Sequence, residues 1–465
     1  VAGLRPRLTA PTAALLDRPD VLFDLTARHG TPVNVVLPQV LSDNVAAFRH
    51  TLDDYRLPYR IFYAHKANQS LALVRAAHDA GIDIDVASAG ELSQARECGF
   101  PDDRIEVTGP KGQRLLRRLV DPTGPVVNVD NPWELRRLTE LATRPVPVLL
   151  RLAGGRRVSR FGMTPQQFDD AFTLIRSRPD AVDLLGVSFH LDTADIDEKV
   201  HTVDVALRLV ERAHTHGLAP RVVNIGGGFR QAYLAAPDEF DAYVGELRRG
   251  LLGRGPRLGW GDYTFGYQVD RTGALRGTPV FHRYANATPG VRQLRELLDR
   301  PLTGGRTVAE TIGESMLELW VEPGKALVDG AGLTVAAVEF TKRTSDGSTL
   351  VTLDLSRDML TPADQEVMLD PTVLHRDPPD GGPCEVFLAG NLCLERDMVS
   401  NHLVRLPALP RPGDLMVFVN TAAYQMDLSA APALMHPRPP KVAVRVSDGG
   451  FTVSTDGDEE CSTTT

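Results

Sequence analysis

The sequence predicts an α/β protein: a parallel (β/α)8 barrel joined to a C-terminal all-β domain. Three observations carry this. From residue 60 to 322, short β-rich runs alternate with amphipathic helical stretches, and eight such units in series suit a parallel sheet closed on itself. No G-x-G-x-x-G turn follows an early strand, which counts against an open doubly wound sheet. After Gly330 the helical patterns stop and strand-like runs continue, the mark of a second, all-β domain.

The barrel strands are expected at 60–64, 82–87, 104–108, 126–129, 146–152, 185–189, 221–225 and 317–321, all rich in apolar residues, as strands buried on both faces are. Helices are expected at 70–80, 89–98, 113–120, 132–142, 164–177 and 197–215, where apolar residues recur with helical spacing. The spacing breaks once, between strands seven and eight. There a Gly/Arg-rich stretch (248–261) is followed by Tyr263, Phe265 and Tyr267. A structureless loop of that length is uncommon, so an insertion with its own helices is expected at about 230–315. It reads either as a surface excursion or oligomer contact, or as a lid over the barrel mouth. The domains are then a segment 1–40 lending a strand (32–37) to the β domain, the barrel at 41–328, and the β domain at 329–450. Its strands are expected at 333–339, 349–355, 384–389, 415–419 and 441–446, and residues 451–465 read as a disordered acidic tail.

Composition excludes several function classes. Of 465 residues, 42% are hydrophobic and 24% charged, so most of the chain folds, and no apolar run approaches the ~20 residues of a membrane helix. A net charge of −9 argues against a nucleic-acid footprint. The four cysteines lack CxxC or Cys/His metal spacing, and residues 1–11 lack the apolar stretch of a signal peptide, so a metal-free cytoplasmic protein is expected. Among the 51 basic residues only Lys66, Lys111, Lys199, Lys325, Lys342 and Lys441 are lysine. Where arginine serves for generic positive charge, a lysine kept inside an apolar segment is a candidate for chemistry.

Barrel enzymes place their chemistry at the C-terminal strand ends. Lys66 stands there in Tyr63-Ala64-His65-Lys66-Ala67-Asn68, and desolvation by apolar neighbours suits a lysine to Schiff-base formation. Gly226, Gly227 and Gly228 follow strand seven, where backbone N–H groups can approach a phosphate. Glu322, ahead of Pro323-Gly324, can face a heteroaromatic nitrogen and keep it protonated, and His190 can stack on such a ring. Together these describe a lysine-held, phosphate-bearing aromatic aldehyde: pyridoxal 5'-phosphate.

At this point the sequence resembles the fold-type III pyridoxal-phosphate decarboxylases, which include ornithine, arginine and diaminopimelate decarboxylases. The resemblance spans about residues 20–445 and implies Lys66 as the cofactor-bearing lysine. Asp85 through Leu92 resembles the family's Asp-Val-x-Ser-x-Gly-Glu-Leu segment, whose acidic residues lie near that lysine. It further implies Arg151 near the cofactor phenolate, His190 as ring stacker, Thr193 and Gly226–Gly228 as phosphate ligands, and Glu322 on the pyridine nitrogen. Gly324 and Lys325 stand in its Glu-Pro-Gly-Arg segment, and Tyr424 matches a phosphate-contacting tyrosine. Gly390 through Asp397 resembles a segment that reaches into the partner subunit's site in such enzymes. This implies a homodimer with composite sites, Cys393 as proton donor, and Leu394, Glu395 and Asp397 near the substrate.

Departures shape the substrate reading. Asp192 and Lys325 replace a family glycine and arginine. Leu394 stands where ornithine- and diaminopimelate-type enzymes carry an acid for a distal ammonium, and strand alternation is expected to turn Glu395 away. Thr361-Pro362 stands near where diaminopimelate enzymes carry Arg-Pro. The expected function is decarboxylation of an α-amino acid or conjugate through an external aldimine and quinonoid, in specialised metabolism. The rivals are an amino-acid racemase on the same fold, a non-catalytic pyridoxal-phosphate-binding protein, and an interaction scaffold.

Overall fold

The computed structural model describes residues 3–120, 124–156, 158–361, 366–447, 450–457 and 462–464. They fall into two compact units. One comprises Leu41–Arg230 and Thr288–Leu327; the other comprises Val1–Val40, Gln231–Ala287 and Val328–Thr465.

The first unit is a closed barrel of eight parallel strands. In chain order they are Tyr59–Ala64, Asp83–Val86, Ile105–Val107, Val126–Val129, Val146–Arg151, Val182–Ser188, Val222–Asn224 and Glu318–Val321. The last pairs with both the first and the seventh, Leu319 opposite Tyr59 and Glu318 opposite Val222. All eight coincide with the apolar runs read from the sequence. Phe62, Val126, Leu149, Leu185, Val222 and Trp320 form an apolar cluster, with the Phe62 and Trp320 rings 4.8 Å apart. The intervening helices start where side chains satisfy their first amides: Ser70 accepts from Leu73 N, Ser88 from Glu91 N and Asn131 from Glu134 N.

A second layer inside the strands is polar. Asn128 Nδ2 donates to Glu106 Oε1 at 2.7 Å, Ser188 Oγ donates to Asn128 Oδ1 at 2.7 Å, and Asn224 Nδ2 donates to Glu106 Oε2 at 3.0 Å. All four residues are buried, so each polar group depends on the others for its partner. Beside this layer lies a fully buried ion pair, Lys111 Nζ to Glu134 Oε2 at 3.0 Å. The ammonium also donates to the carbonyls of Gly109 and Asn128, and the carboxylate accepts from the amides of Lys111 and Asp130. Lys111 thus ties the end of one strand to the start of the helix Pro132–Leu141.

The second unit is built on a sheet ordered Met398–Leu406, Cys384–Ala389, Thr349–Leu353, Gly332–Arg343, Val33–Val36, Lys441–Ser447, Gly450–Thr455 and Ser462–Thr464, with Leu415–Val419 also pairing Gly332–Arg343. Val33–Val36 lies antiparallel to Gly332–Arg343 and parallel to Lys441–Ser447. Several elements differ from the sequence reading, among them the short strands Glu366–Val367 and Thr372–Leu374. The strand Met398–Leu406 was not expected, because Ser400, Asn401 and His402 interrupt its apolar pattern; all three are buried and held by hydrogen bonds. The expected tail begins instead as the strand Gly450–Thr455, whose Phe451 and Val453 are buried, and Ser462–Thr464 pairs with it; residues 458–461 and 465 lie outside the described residues. The expected insertion at 230–315 is divided. Residues 231–287 supply Tyr233, Phe240, Tyr243, Leu258 and Phe265 to a core shared with Leu4, Met368 and Leu369. They are therefore part of the β unit's own interior, whereas 288–327 belongs with the barrel. Among the described residues no helix is long and apolar enough to cross a membrane.

Glu134→Ala is expected to lower the unfolding free energy by ~3–5 kcal/mol, because it strands a buried ammonium. Chemical denaturation at pH 7 checks this. Lys111→Met combined with Glu134→Ala is expected to recover part of the loss.

Candidate active site

Lys66 sits on a one-turn helix, His65–Ala67, that follows directly from the strand Tyr59–Ala64. The turn is held from three sides. Tyr63 Oη donates to Asn68 O at 2.9 Å. The buried His65 places Nδ1 3.2 Å from Glu91 Oε1, with its other nitrogen on Gln94. Gly324 lies so close that a Cβ there would stand 3.2 Å from the Cβ atoms of Ala64 and Ala67. Packing thus fixes the backbone of the lysine turn, while the Lys66 side chain stays 40% exposed with its Nζ 3.8 Å from Asp85 Oδ2.

Acidic groups gather below that ammonium. Asp85 is buried and accepts from Thr108 Oγ1 at 2.6 Å. Burial pushes its carboxyl up to about 7 against the pull of Lys66, and the Glu322 charge adds to the rise. Glu322 is buried, with Oε1 accepting from Asn224 Nδ2 at 2.6 Å and Oε2 3.9 Å from His190 Nδ1. Burial pushes Glu322 up, but the neighbouring His190 and the charges of Lys66 and Arg151 together hold it below the ordinary carboxylate value. Glu106, bridged to Glu322 through Asn224, is driven well above its ordinary value by burial and by the charges of Glu322 and Asp85. The surroundings therefore favour the protonated form of Glu106 and the charged form of Glu322. For His190, burial outweighs Glu322 and lowers its value, so the ring is neutral and Nδ1 accepts from Gly227 N at 3.3 Å.

The other strand ends complete the group. Arg151 closes its strand with Nη1 3.4 Å from Asp130 and its guanidinium 4.6 Å from the Phe161 ring centre. Gly226 and Gly228 take φ of +66° and +73°, a region side chains avoid. A Cβ on Gly226, Gly227 or Gly228 would strike the carbonyls of Phe189, Glu322 and Leu191 respectively. Lys325 Nζ lies 3.7 Å from Asp192, which also faces Arg230 at 3.4 Å. The Thr193 hydroxyl accepts from Asp195 N at 3.1 Å, just ahead of the helix Ile196–Thr215, which Asp195 caps.

Cys393, Leu394, Glu395, Asp397 and Tyr424 belong to the β unit. Residues 390–397 form a turn rather than a strand, and Cys393 to Arg396 are all exposed. The alternation expected to turn Glu395 away therefore does not operate. Asp397, expected near the substrate, is held by backbone amides. It is buried, and its oxygens accept from Leu392 N at 2.8 Å, in its own turn, and from Arg357 N at 2.7 Å, in the one-turn helix Arg357–Met359. Arg357 in turn reaches Met398 O and Glu366, and Glu366 accepts from His402 Nδ1 at 2.8 Å. Tyr424 holds φ at +70°, a strained region for a bulky side chain. Thr361 is buried; Pro362 lies outside the described residues.

The barrel group suits a phosphorylated aromatic aldehyde: an amine beside a buried carboxylate, a charged carboxylate beside a neutral imidazole, and a backbone cradle no Cβ could enter. The comparisons agree. A family model described as pyridoxal-dependent decarboxylase, pyridoxal binding domain, matches residues 40–254. The chain is 32% identical over 451 residues to the uncharacterized protein y4yA of Sinorhizobium fredii, covering 95% of this chain and 94% of that protein. It is 24% identical to the diaminopimelate decarboxylase of Vibrio cholerae, over 93% of this chain and 91% of the other. The crystal structure of lysine/ornithine decarboxylase from Vibrio vulnificus, complexed with putrescine, superposes with a TM-score of 0.65 at 19% identity, covering 94% of this chain and 99% of that one. With sequence similarity along its whole length and this barrel chemistry, the chain belongs to the fold-type III pyridoxal-phosphate-dependent decarboxylases, the family of the ornithine, arginine and diaminopimelate enzymes.

Proposed function

We propose that the chain decarboxylates an α-amino acid, or an amino-acid conjugate of specialised metabolism, whose side chain carries no distal ammonium, and that it works as a homodimer with composite sites. The observation that carries the substrate reading is the turn at 390–397. There an exposed leucine, Leu394, 44% accessible, directly follows the exposed Cys393. A hydrocarbon at that place offers no counter-charge, and an ammonium left unpaired on burial costs several kcal/mol.

Pyridoxal phosphate, when bound, supplies an aldehyde for the amine and a ring that takes up the electron pair of the breaking Cα–carboxylate bond. Lys66 is the attachment amine. Asp85, 3.8 Å away, steers its charge and exchanges a proton near neutrality. Glu322 holds a proton on the ring nitrogen, because it keeps its negative charge while Asn224 fixes its orientation. His190, neutral and anchored by Gly227 N, offers a flat face for the ring. Arg151 would serve the phenolate and, within the barrel, the Gly226–Gly228 loop, Thr193 and Lys325 would serve the phosphate; Tyr424 is assigned to the phosphate by the family resemblance alone. Loss of the carboxylate as CO2 leaves Cα in need of a proton. The Cys393 thiol of the facing subunit delivers it, or orders the water that does. Asp397, by accepting the Leu392 amide of the turn and the remote Arg357 amide, ties down the turn that carries that thiol. An amino-acid racemase would instead need a base on each face of Cα, and the Cys393 segment favours decarboxylation over it.

CO2 release from a panel of amino acids and conjugates, with mass analysis of the products, tests the reading. Substrates with apolar or carboxylated side chains are expected to turn over, and ornithine, lysine and diaminopimelate to turn over poorly. Leu394→Asp is expected to raise kcat/KM on the diamino acids by about tenfold or more. Efficient diaminopimelate decarboxylation by the unaltered chain would overturn the substrate assignment. Cys393→Ala is expected to leave cofactor binding intact while lowering kcat by ~10²-fold or more and raising the share of aldehyde side product. An unchanged rate would remove the thiol from the reaction.

A further inference from the structure

Lys199 is one of six lysines in a chain that otherwise uses arginine, and no role proposed above employs it. It lies in the first turn of the helix Ile196–Thr215, only 2% exposed. Its ammonium donates to Gly227 O at 3.0 Å and to Gly228 O at 3.1 Å, and stands 5.1 Å from the centre of the Phe229 ring. Burial lowers it to about 8, with Asp192 opposing the shift and Arg230 adding to it, so the group is charged at pH 7. A charge kept in so enclosed a place needs hydrogen-bonding partners, and its partners are two consecutive carbonyls of the glycine loop.

The consequence follows from the planar trans peptide. A carbonyl and the N–H of the next residue point in opposite directions across the same bond. Tying Gly227 O and Gly228 O back to the helix therefore turns the amides of Gly228 and Phe229 away from it. Helices lie outside the strands in such a barrel, so these amides turn toward the strand ends that carry Lys66 and Glu322. The glycines themselves cannot hold this orientation. They prevent collisions with Glu322 O and Leu191 O, but a glycine backbone has the most freedom to rotate.

We infer that Lys199 is the positioning residue of the phosphate cradle: by holding the carbonyls of Gly227 and Gly228, its ammonium aims the cradle's amides at the cofactor's phosphate. The inference rests on Gly226–Gly228 being the phosphate site. Arginine is not an equivalent substitute, since its donors sit in a rigid planar fork, whereas here one compact ammonium reaches two consecutive carbonyls.

The test compares equilibrium binding of pyridoxal 5'-phosphate with that of pyridoxal, which lacks the phosphate. Attachment at Lys66 is common to both ligands, so the ratio of the two affinities isolates the phosphate. The unaltered chain is expected to favour the phosphorylated ligand strongly. Lys199→Met is expected to weaken that ligand about tenfold or more, as loss of charge-assisted hydrogen-bonding does, while changing pyridoxal less than about twofold. Should Lys199→Met not fold, as judged by thermal unfolding, Lys199→Gln carries the same test, and its ratio must fall too. Equal weakening of both ligands, or an unchanged ratio, would overturn the inference and leave the phosphate assignment standing. An unaltered chain that binds pyridoxal as tightly as its phosphate would overturn the assignment and the inference together.

Discussion

Three carboxyl groups, Asp85, Glu106 and Glu322, are buried inside one end of a closed barrel. They cannot all be charged there. Desolvation of an isolated carboxylate costs several kcal/mol, and like charges at close range raise each other's proton affinity. The surrounding residues resolve this by unequal sharing. Asn224 links Glu106 to Glu322, and the charges of Lys66 and Arg151 act to lower the proton affinity of Glu322. This environment accordingly favours charge on Glu322 and a proton on Glu106. Asp85 sits between these extremes, near neutrality, with the Lys66 amine as its neighbour. The positions of Asn128, Ser188, His190 and Arg151 make sense as the means of holding that distribution in place.

Much of the barrel was legible in the sequence because a strand buried on both faces is a short apolar run, whatever its partners. The motif residues were legible for a different reason. Lys66, the three glycines and Glu322 stand where strands end, and strand ends are where a barrel can expose chemistry. What escaped was the polar layer. Glu106, Asn128, Ser188 and Asn224 each appear as one polar residue in an apolar strand, a pattern equally consistent with a solvent-facing position. Only closure of the barrel reveals that they face one another. Lys199 was noticed for its rarity, yet its target lay 28 residues onward.

The β unit was less legible, and the causes are non-local contacts. Ser400, Asn401 and His402 look like a loop until Glu366 is set beside them. The stretch at 231–287 looked like an addition to the barrel because it interrupts the barrel's sequence. Its aromatic residues instead complete a core with Leu4, Met368 and Leu369, segments remote in the chain. Asp397 shows the same limit at a single position. The motif showed it as one residue of a segment, whereas its tie to the amide of Arg357, 40 residues away, as well as to Leu392 N, appears only in the fold.

The central claim is that one amine, at Lys66, carries the cofactor aldehyde. Borohydride reduction of the protein loaded with pyridoxal phosphate, followed by peptide mapping, tests it most directly. The account predicts a single pyridoxyl group on Lys66. A label on Lys199, Lys111 or another lysine, or no label at all, would contradict it.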